Sequence, residues 1–163
     1  MTNERPENVW AATLPNGLRV RVLCKPGFQR SYAVFATCYG GADRRFRVND
    51  TWTDTPAGVA HYLEHMTLMG SQNYPQPDSL AEFLKMHGGS HNASTAPYRT
   101  AFYLEVENDA LDGAVDRLAD AIAAPLLDKK YADRERNAVN AELTMARTRD
   151  GMRMAQVSAE TIN

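Results

Sequence analysis

The sequence predicts an α+β domain, an antiparallel sheet packed by helices, and three observations predict it. Strand-like apolar runs crowd the first forty residues and return between Ser90 and Glu107, whereas helix-spaced apolar residues fill the middle and the end of the chain. The order strands, helix, helix, strands, helices lacks the regular strand–helix alternation that builds parallel sheets. A chain of 163 residues with 44% hydrophobic content is long and apolar enough for one globular core, so residues 1–163 read as a single domain.

Each element has its own signal. After a polar lead, Pro15-Asn16-Gly17 separates two strand-like runs, which marks a hairpin. "SYAVFATCYGG" is a third β-rich run, closed by Gly40-Gly41. Residues 42–58 are polar and read as an irregular loop, with Thr55 and Pro56 as N-cap and first-turn residue of the next helix. That helix runs from Ala57 to about Met69 and stops at Gly70. Pro75 and Pro77 punctuate the chain before Asp78 opens a short amphipathic helix, "SLAEFLKMH", ended by Gly88-Gly89. Residues 90–107 read as two strands around Pro97. Asn108-Asp109 caps the helix "ALDGAVDRLADAIAA", which ends before Pro125. A long helical segment follows over 128–160, with a break near Gly151. The last residues, "SAETIN", carry no Gly or Pro terminator, as if the domain were cut short.

Composition excludes several partners. A formal charge of −2, with Lys and Arg scattered, gives nucleic acid no basic surface to follow. No run of 18 apolar residues exists to span a membrane, and the polar N-terminus lacks the apolar core of a secretory signal. The chain as given therefore reads as cytoplasmic. Cys24 and Cys38 lie in separate strand-like runs and read as buried free thiols. Neither has a CxxC partner, which rules out a cysteine-rich metal site.

The chemistry concentrates in His61-Tyr62-Leu63-Glu64-His65. At about 100° per residue, His65 falls roughly 40° from His61, so two imidazoles share one helix face a turn apart. Glu64 falls about 60° to the other side, beside the pair. The more familiar His-Glu-x-x-His order keeps the same angular gaps on the opposite flank, so the reversal moves the base without removing it. Val59, Ala60, Leu63, Met66 and Leu68 surround the trio, a setting in which unpartnered polar groups are costly and metal coordination would satisfy them. A catalytic zinc takes three protein ligands. The third is open among His87, His91, Glu135 and Glu142. His87 sits at a helix end, where the dipole favours it. Glu135 stands among Asp133, Arg134 and Arg136 and reads as part of a solvated stripe, whereas Glu142 lies between Ala141 and Leu143 and is better placed for burial.

"HYLEH" followed far downstream by Glu142 resembles the inverzincin pattern of the pitrilysin and insulin-degrading-enzyme family of zinc metalloendopeptidases. The likeness extends over residues 60–163, through "AHYLEHMTLMGSQNYPQPDSLAEFLKMHGGSHNASTAPYRTAFYLEVENDAL" and "RERNAVNAELTMARTRDGMRMAQVSAETIN". Residues 1–60 are more similar to a smaller, processing-peptidase-like branch of the same superfamily. The resemblance implies a LuxS/MPP-like metallohydrolase fold, here an N-terminal zinc-binding domain truncated at its C-terminus. It implies one Zn2+ per chain held by His61, His65 and Glu142, the last carried on the 128–160 helix. Glu64 is then the general base, and Glu135 supports the site from behind the ligands. Asn92, Ala93, Ser94 and Thr95 match the edge strand along which relatives lay an extended peptide substrate. Relatives are several times longer and close two halves around a chamber. A complementary C-terminal half or partner chain is therefore expected to complete the site, and the isolated chain to be weakly active or inactive. The resemblance points to the periplasm as the alternative compartment. A non-catalytic structural subunit of the same fold is the competing reading, but such relatives have degraded metal motifs, and all four key positions stand here.

Overall fold

The computed structural model describes residues 9–147, and they fall into two compact units along the chain, with the boundary between Arg30 and Ser31. The first unit is a hairpin. Strand β1 (Val9–Thr13) pairs antiparallel with β2 (Arg19–Leu23), Val9 opposite Leu23 and Thr13 opposite Arg19. Its turn uses the predicted residues: Gly17 takes φ 86°, a region open to glycine, and Asn16 Oδ1 accepts from the Leu18 amide at 3.1 Å.

The second unit holds β3 (Arg30–Thr37), β6 (Ser90–Ala96) and β7 (Arg99–Glu107) in the order β3-β7-β6. The long β7 is central and β6 lies at an edge among the described residues. These two strands pair antiparallel around Pro97 as the sequence predicts, Ala93 opposite Phe102 and Ala96 opposite Arg99. Side chains alternate on β7, so Phe102, Leu104 and Val106 share one face and are buried. Against that face pack Leu80 and Leu84 of α2 (Ser79–Met86) and Ala114 and Leu118 of α3 (Leu111–Ala123). The small residues on α3 let it approach closely. A Cβ on Gly113 would lie 2.7 Å from the Phe83 ring. Removing each large apolar side chain from water contributes about 1.5–3 kcal/mol.

Helix α1 (Val59–Thr67) packs on β6 and on α4 (Lys129–Arg147). The Tyr62 hydroxyl donates to the Ala132 carbonyl at 3.1 Å, tying the two helices side by side. The linkers outside them are also stitched together: the Gln72 amide donates to Ala124 O at 3.0 Å and the Leu126 amide to Gly70 O at 3.0 Å. Gly70, at φ 106°, has no room for a side chain, since a Cβ would lie 2.6 Å from Pro75 O. Asn73 bonds Asp120 through both its amide and its side chain, which fixes the α1–α2 linker on α3. No helix among the described residues is long and apolar enough to cross a membrane.

Several expectations need correction. Residues 42–58 are not an irregular loop: β4 (Arg45–Val48) and β5 (Thr51–Asp54) form an antiparallel hairpin. Its two-residue turn, Asn49-Asp50, has φ 46° and 65°, and Asn and Asp tolerate that left-handed region. Thr55 is not the cap of α1. Its amide donates to Arg44 O at 2.8 Å, so it still belongs to the hairpin, and Gly58 at φ 89° is the residue before the helix. The helix ends at Thr67, ahead of Met69, because Leu68 and Met69 amides bond back only three residues, to His65 and Met66. Asn108–Ala110 forms a separate 3-10 turn before α3. Both cysteines are free but exposed, not buried, because each sits past the end of its strand, outside the alternating pattern. The break near Gly151 and the part of the 128–160 helix beyond Arg147 lie outside the described residues.

Candidate metal centre

Helical spacing alone brings His61 and His65 together: their rings meet edge to face at 4.9 Å between centroids. The packing of α4 on α1 supplies the third group. Glu142 Oε2 lies 3.3 Å from His61 Nε2 and 3.7 Å from His65 Nε2. One ligand atom from each of His61, His65 and Glu142 lies within 4.8 Å of the others. Two imidazole nitrogens and a carboxylate oxygen suit a divalent transition metal.

The groups behind these three are also engaged. Glu135, one helical face with Glu142 because seven residues separate them, places Oε2 3.3 Å from His65 Nδ1. Its Oε1 accepts from Arg134 Nε at 2.7 Å. Arg134 gains from this contact, and its guanidinium holds its proton above the ordinary arginine value. The exposure of the two carboxylates reverses the sequence expectation. Glu135 is 7% exposed, whereas the Glu142 side chain is about half exposed. Residues adjacent in sequence point to different sides of a helix, so the charged neighbours of Glu135 do not predict its own surroundings.

Glu64 is buried on the flank of the histidine pair. Thr95 of β6 donates its hydroxyl to Glu64 Oε2 at 2.5 Å, and Thr100 behind it donates to Tyr39 O at 2.8 Å. Strand alternation decides which edge-strand residues face this group. His91, Ala93 and Thr95 are half-buried, whereas Asn92 and Ser94 are exposed. The Ala93 amide donates to Asn92 Oδ1 at 2.8 Å. A pocket of about 570 Å3 joins these parts, its walls including His61, Glu64, His65, His91, Thr95 and Glu142. Burial pushes the His91 imidazole below its ordinary value, partly opposed by Asp78. His87 stands apart, its ring 4.5 Å from that of Phe83 at the end of α2.

Sequence reasoning missed two contributors, the Thr95 hydroxyl on Glu64 and the Arg134 guanidinium on Glu135. Neither leaves a local signal: the Thr95 contact depends on how β6 packs on α1, and Arg134 reaches its neighbour on α4 only by bending across a carboxylate that helix geometry points elsewhere.

Comparison with known proteins shows the family of the chain. The family described as "Insulinase (Peptidase family M16)" matches residues 51–163. The chain is 69% identical to Protease 3 of Escherichia coli K12 over 153 residues, 94% of this chain and 15% of that protein. It is 34% identical to human insulin-degrading enzyme over 152 residues, 92% of this chain and 14% of that one. The crystal structure of pitrilysin superposes with a TM-score of 0.84 at 64% identity, covering 98% of this chain and 16% of the other. The chain thus spans only about a seventh of the length of these relatives.

Proposed function

The chain belongs to the insulinase family of peptidases, M16, and on that premise we propose that it carries the zinc-binding part of a peptide-hydrolysing active site. The observation that carries this reading is the convergence of His61, His65 and Glu142 beside the buried carboxylate of Glu64. Ligand atoms about 2.0–2.1 Å from a tetrahedral zinc stand roughly 3.3 Å apart. The 3.3 and 3.7 Å separations between the Glu142 oxygen and the two Nε2 atoms fit that shell.

Bound zinc would lower the pKa of a water molecule and polarise a peptide carbonyl. The chain's own residues supply the rest. Thr95 occupies Glu64 Oε2, which leaves Oε1 to take a proton from the attacking water and pass it to the leaving amine. Glu135 accepts the Nδ1 proton of His65, so that the Nε2 lone pair faces Glu142. The outer edge of β6, over Asn92, Ala93, Ser94 and Thr95, has no strand partner among the described residues and suits an extended peptide added as a further strand, with the Ala93 amide released from Asn92 Oδ1 to pair with it. Backbone pairing of that kind reads little sequence. Because the chain spans about 15% of the length of Protease 3, a complementary C-terminal half or partner chain would complete substrate binding. The isolated chain is then weakly active or inactive.

The test is zinc content after exhaustive dialysis, followed by cleavage of a quenched peptide with and without chelator. One zinc per wild-type chain is expected, none in His61→Ala, His65→Ala or Glu142→Ala, and one in Glu64→Gln. A wild-type chain that takes up no zinc refutes the reading. In the full-length parent, Glu64→Gln abolishes turnover while keeping the metal; unchanged turnover would remove Glu64 from the base role.

A further inference from the structure

We propose that Arg134 is a positioning residue for the metal centre, fixing Glu135 in the orientation that aims His65. This inference rests on the zinc reading above. Arg134 and Glu135 are successive residues of α4, and successive side chains on a helix point about 100° apart. A hydrogen bond between them is therefore not what helix geometry gives by default. The arginine bends across the carboxylate to make it.

Three contacts hold the guanidinium there. Nε donates to Glu135 Oε1 at 2.7 Å, Nη2 lies 2.9 Å from Met69 Sδ, and Cζ sits 5.2 Å from the centre of the Tyr131 ring. Tyr131 is one turn back on α4, whereas Met69 belongs to the segment that leaves α1, the helix with both histidines. The arginine therefore spans the two elements that must keep register for Glu142 to reach His61 and His65. Its planar fork suits this task, because donors fixed in one plane can serve a carboxylate and a second group at once.

The two oxygens of Glu135 are divided between partners, Oε1 on Arg134 and Oε2 on His65 Nδ1. A carboxylate held at one oxygen still turns about its last bond. Held at both, its plane is set, and the imidazole plane behind it is set too. Ligand lone pairs are directional, so a tilted His65 ring carries Nε2 out of line with His61 and Glu142. Partners that orient a metal-binding histidine are typically worth 10–100-fold in metal affinity. Arg134 touches none of His61, His65 and Glu142; it acts through Glu135 and through its contact with Met69.

The experiment measures zinc affinity by competition with a chromophoric chelator, and the visible spectrum of the cobalt(II)-loaded chain, for wild type, Arg134→Met and Arg134→Lys. Far-UV circular dichroism confirms folding. The expected result is a 10–100-fold loss of zinc affinity in Arg134→Met, with shifted cobalt bands. Arg134→Lys keeps the charge but lacks the fork, and it recovers only part of the loss. Wild-type affinity within twofold and unchanged cobalt bands in Arg134→Met would overturn the proposal. So would full recovery in Arg134→Lys, since charge without position would then suffice. If Arg134→Met fails to fold, Arg134→Lys decides by the same measure: reduced affinity supports the proposal and wild-type affinity overturns it. A wild-type chain without zinc affinity removes the zinc reading and this inference together, whereas zinc binding indifferent to both arginine variants removes this inference alone.

Discussion

Replacing Gly40 by alanine tests how the edge strand is held against the rest of its unit. Gly40 is buried where the chain leaving β3 meets the β6–β7 turn. A Cβ added there would stand 2.2 Å from Ala96 O, 2.5 Å from Arg99 N and 2.7 Å from Pro97 C, all backbone atoms that cannot swing aside. Since Cβ contacts below 3.0 Å essentially do not occur, the junction must open by about 0.8 Å. Three hydrogen bonds cross it: Gly41 N to Ala96 O at 2.9 Å, Ala42 N to Pro97 O at 2.7 Å, and Thr100 Oγ1 to Tyr39 O at 2.8 Å. An opening of that size stretches them beyond useful length. At about 0.5–1.5 kcal/mol each, the loss comes to roughly 2–4 kcal/mol. For a chain of this size that lowers Tm by roughly 5–12 °C. The control is the next residue. Gly41 has nothing within 4 Å of its added Cβ and no positive φ, so Gly41→Ala should be neutral or raise stability by about 0.4–1 kcal/mol through the unfolded state. Thermal unfolding of both variants, followed by circular dichroism, is the assay. A Gly40→Ala midpoint within 2 °C of wild type would refute the close-approach argument, and equal losses in both variants would refute its assignment to Gly40.

Two further outcomes follow from burial. Leu84 is fully buried between α2 and β7, so Leu84→Ala should destabilise by about 2–5 kcal/mol in chemical denaturation without changing zinc content, and a loss under 1 kcal/mol would contradict the core described for α2, α3 and β7. Burial lowers the folded-state pKa of His91 below the ordinary 6.5; the unfolded chain therefore takes up its proton first as pH falls, so this contribution to stability is complete above about 6.5 and is lost as pH drops from there through the lowered folded value. His91→Gln should flatten the Tm against pH curve in that window, and an unchanged slope would contradict it.

Hairpins and helices were legible where a local rule governs them. Pro15-Asn16-Gly17 and Pro97 mark turns by backbone preference, and both hairpins have the predicted strands. Asn49-Asp50 carries a comparable signal that polar composition masked, because a run of charged residues resembles a loop even when Arg45, Phe46, Arg47 and Val48 alternate as a strand. The cap of α1 was misplaced for the opposite reason: Thr55-Pro56 has the right chemistry, but Thr55 is committed to Arg44 across the hairpin.

By itself the sequence determined the histidine pair. Helical periodicity is local, so placing His61, Glu64 and His65 within five residues fixes two imidazoles on one face and a carboxylate on its flank, whatever the rest of the chain does. Only tertiary structure decided which distant group faces them. Residue chemistry leaves the third ligand open: His87 reads as a helix-end residue, Glu135 as solvated, His91 as facing either way and Glu142 as the better placed for burial, and the packing of α1 against α4 and β6 separates them. That packing brings Glu142 Oε2 to 3.3 Å from His61, turns Glu135 to the rear of His65, and leaves His87 on Phe83. The burial of Glu135 was illegible for the same physical reason: a helix's sequence neighbours point in different directions by default, so the charged residues around it in sequence do not report which face of α4 packs on α1.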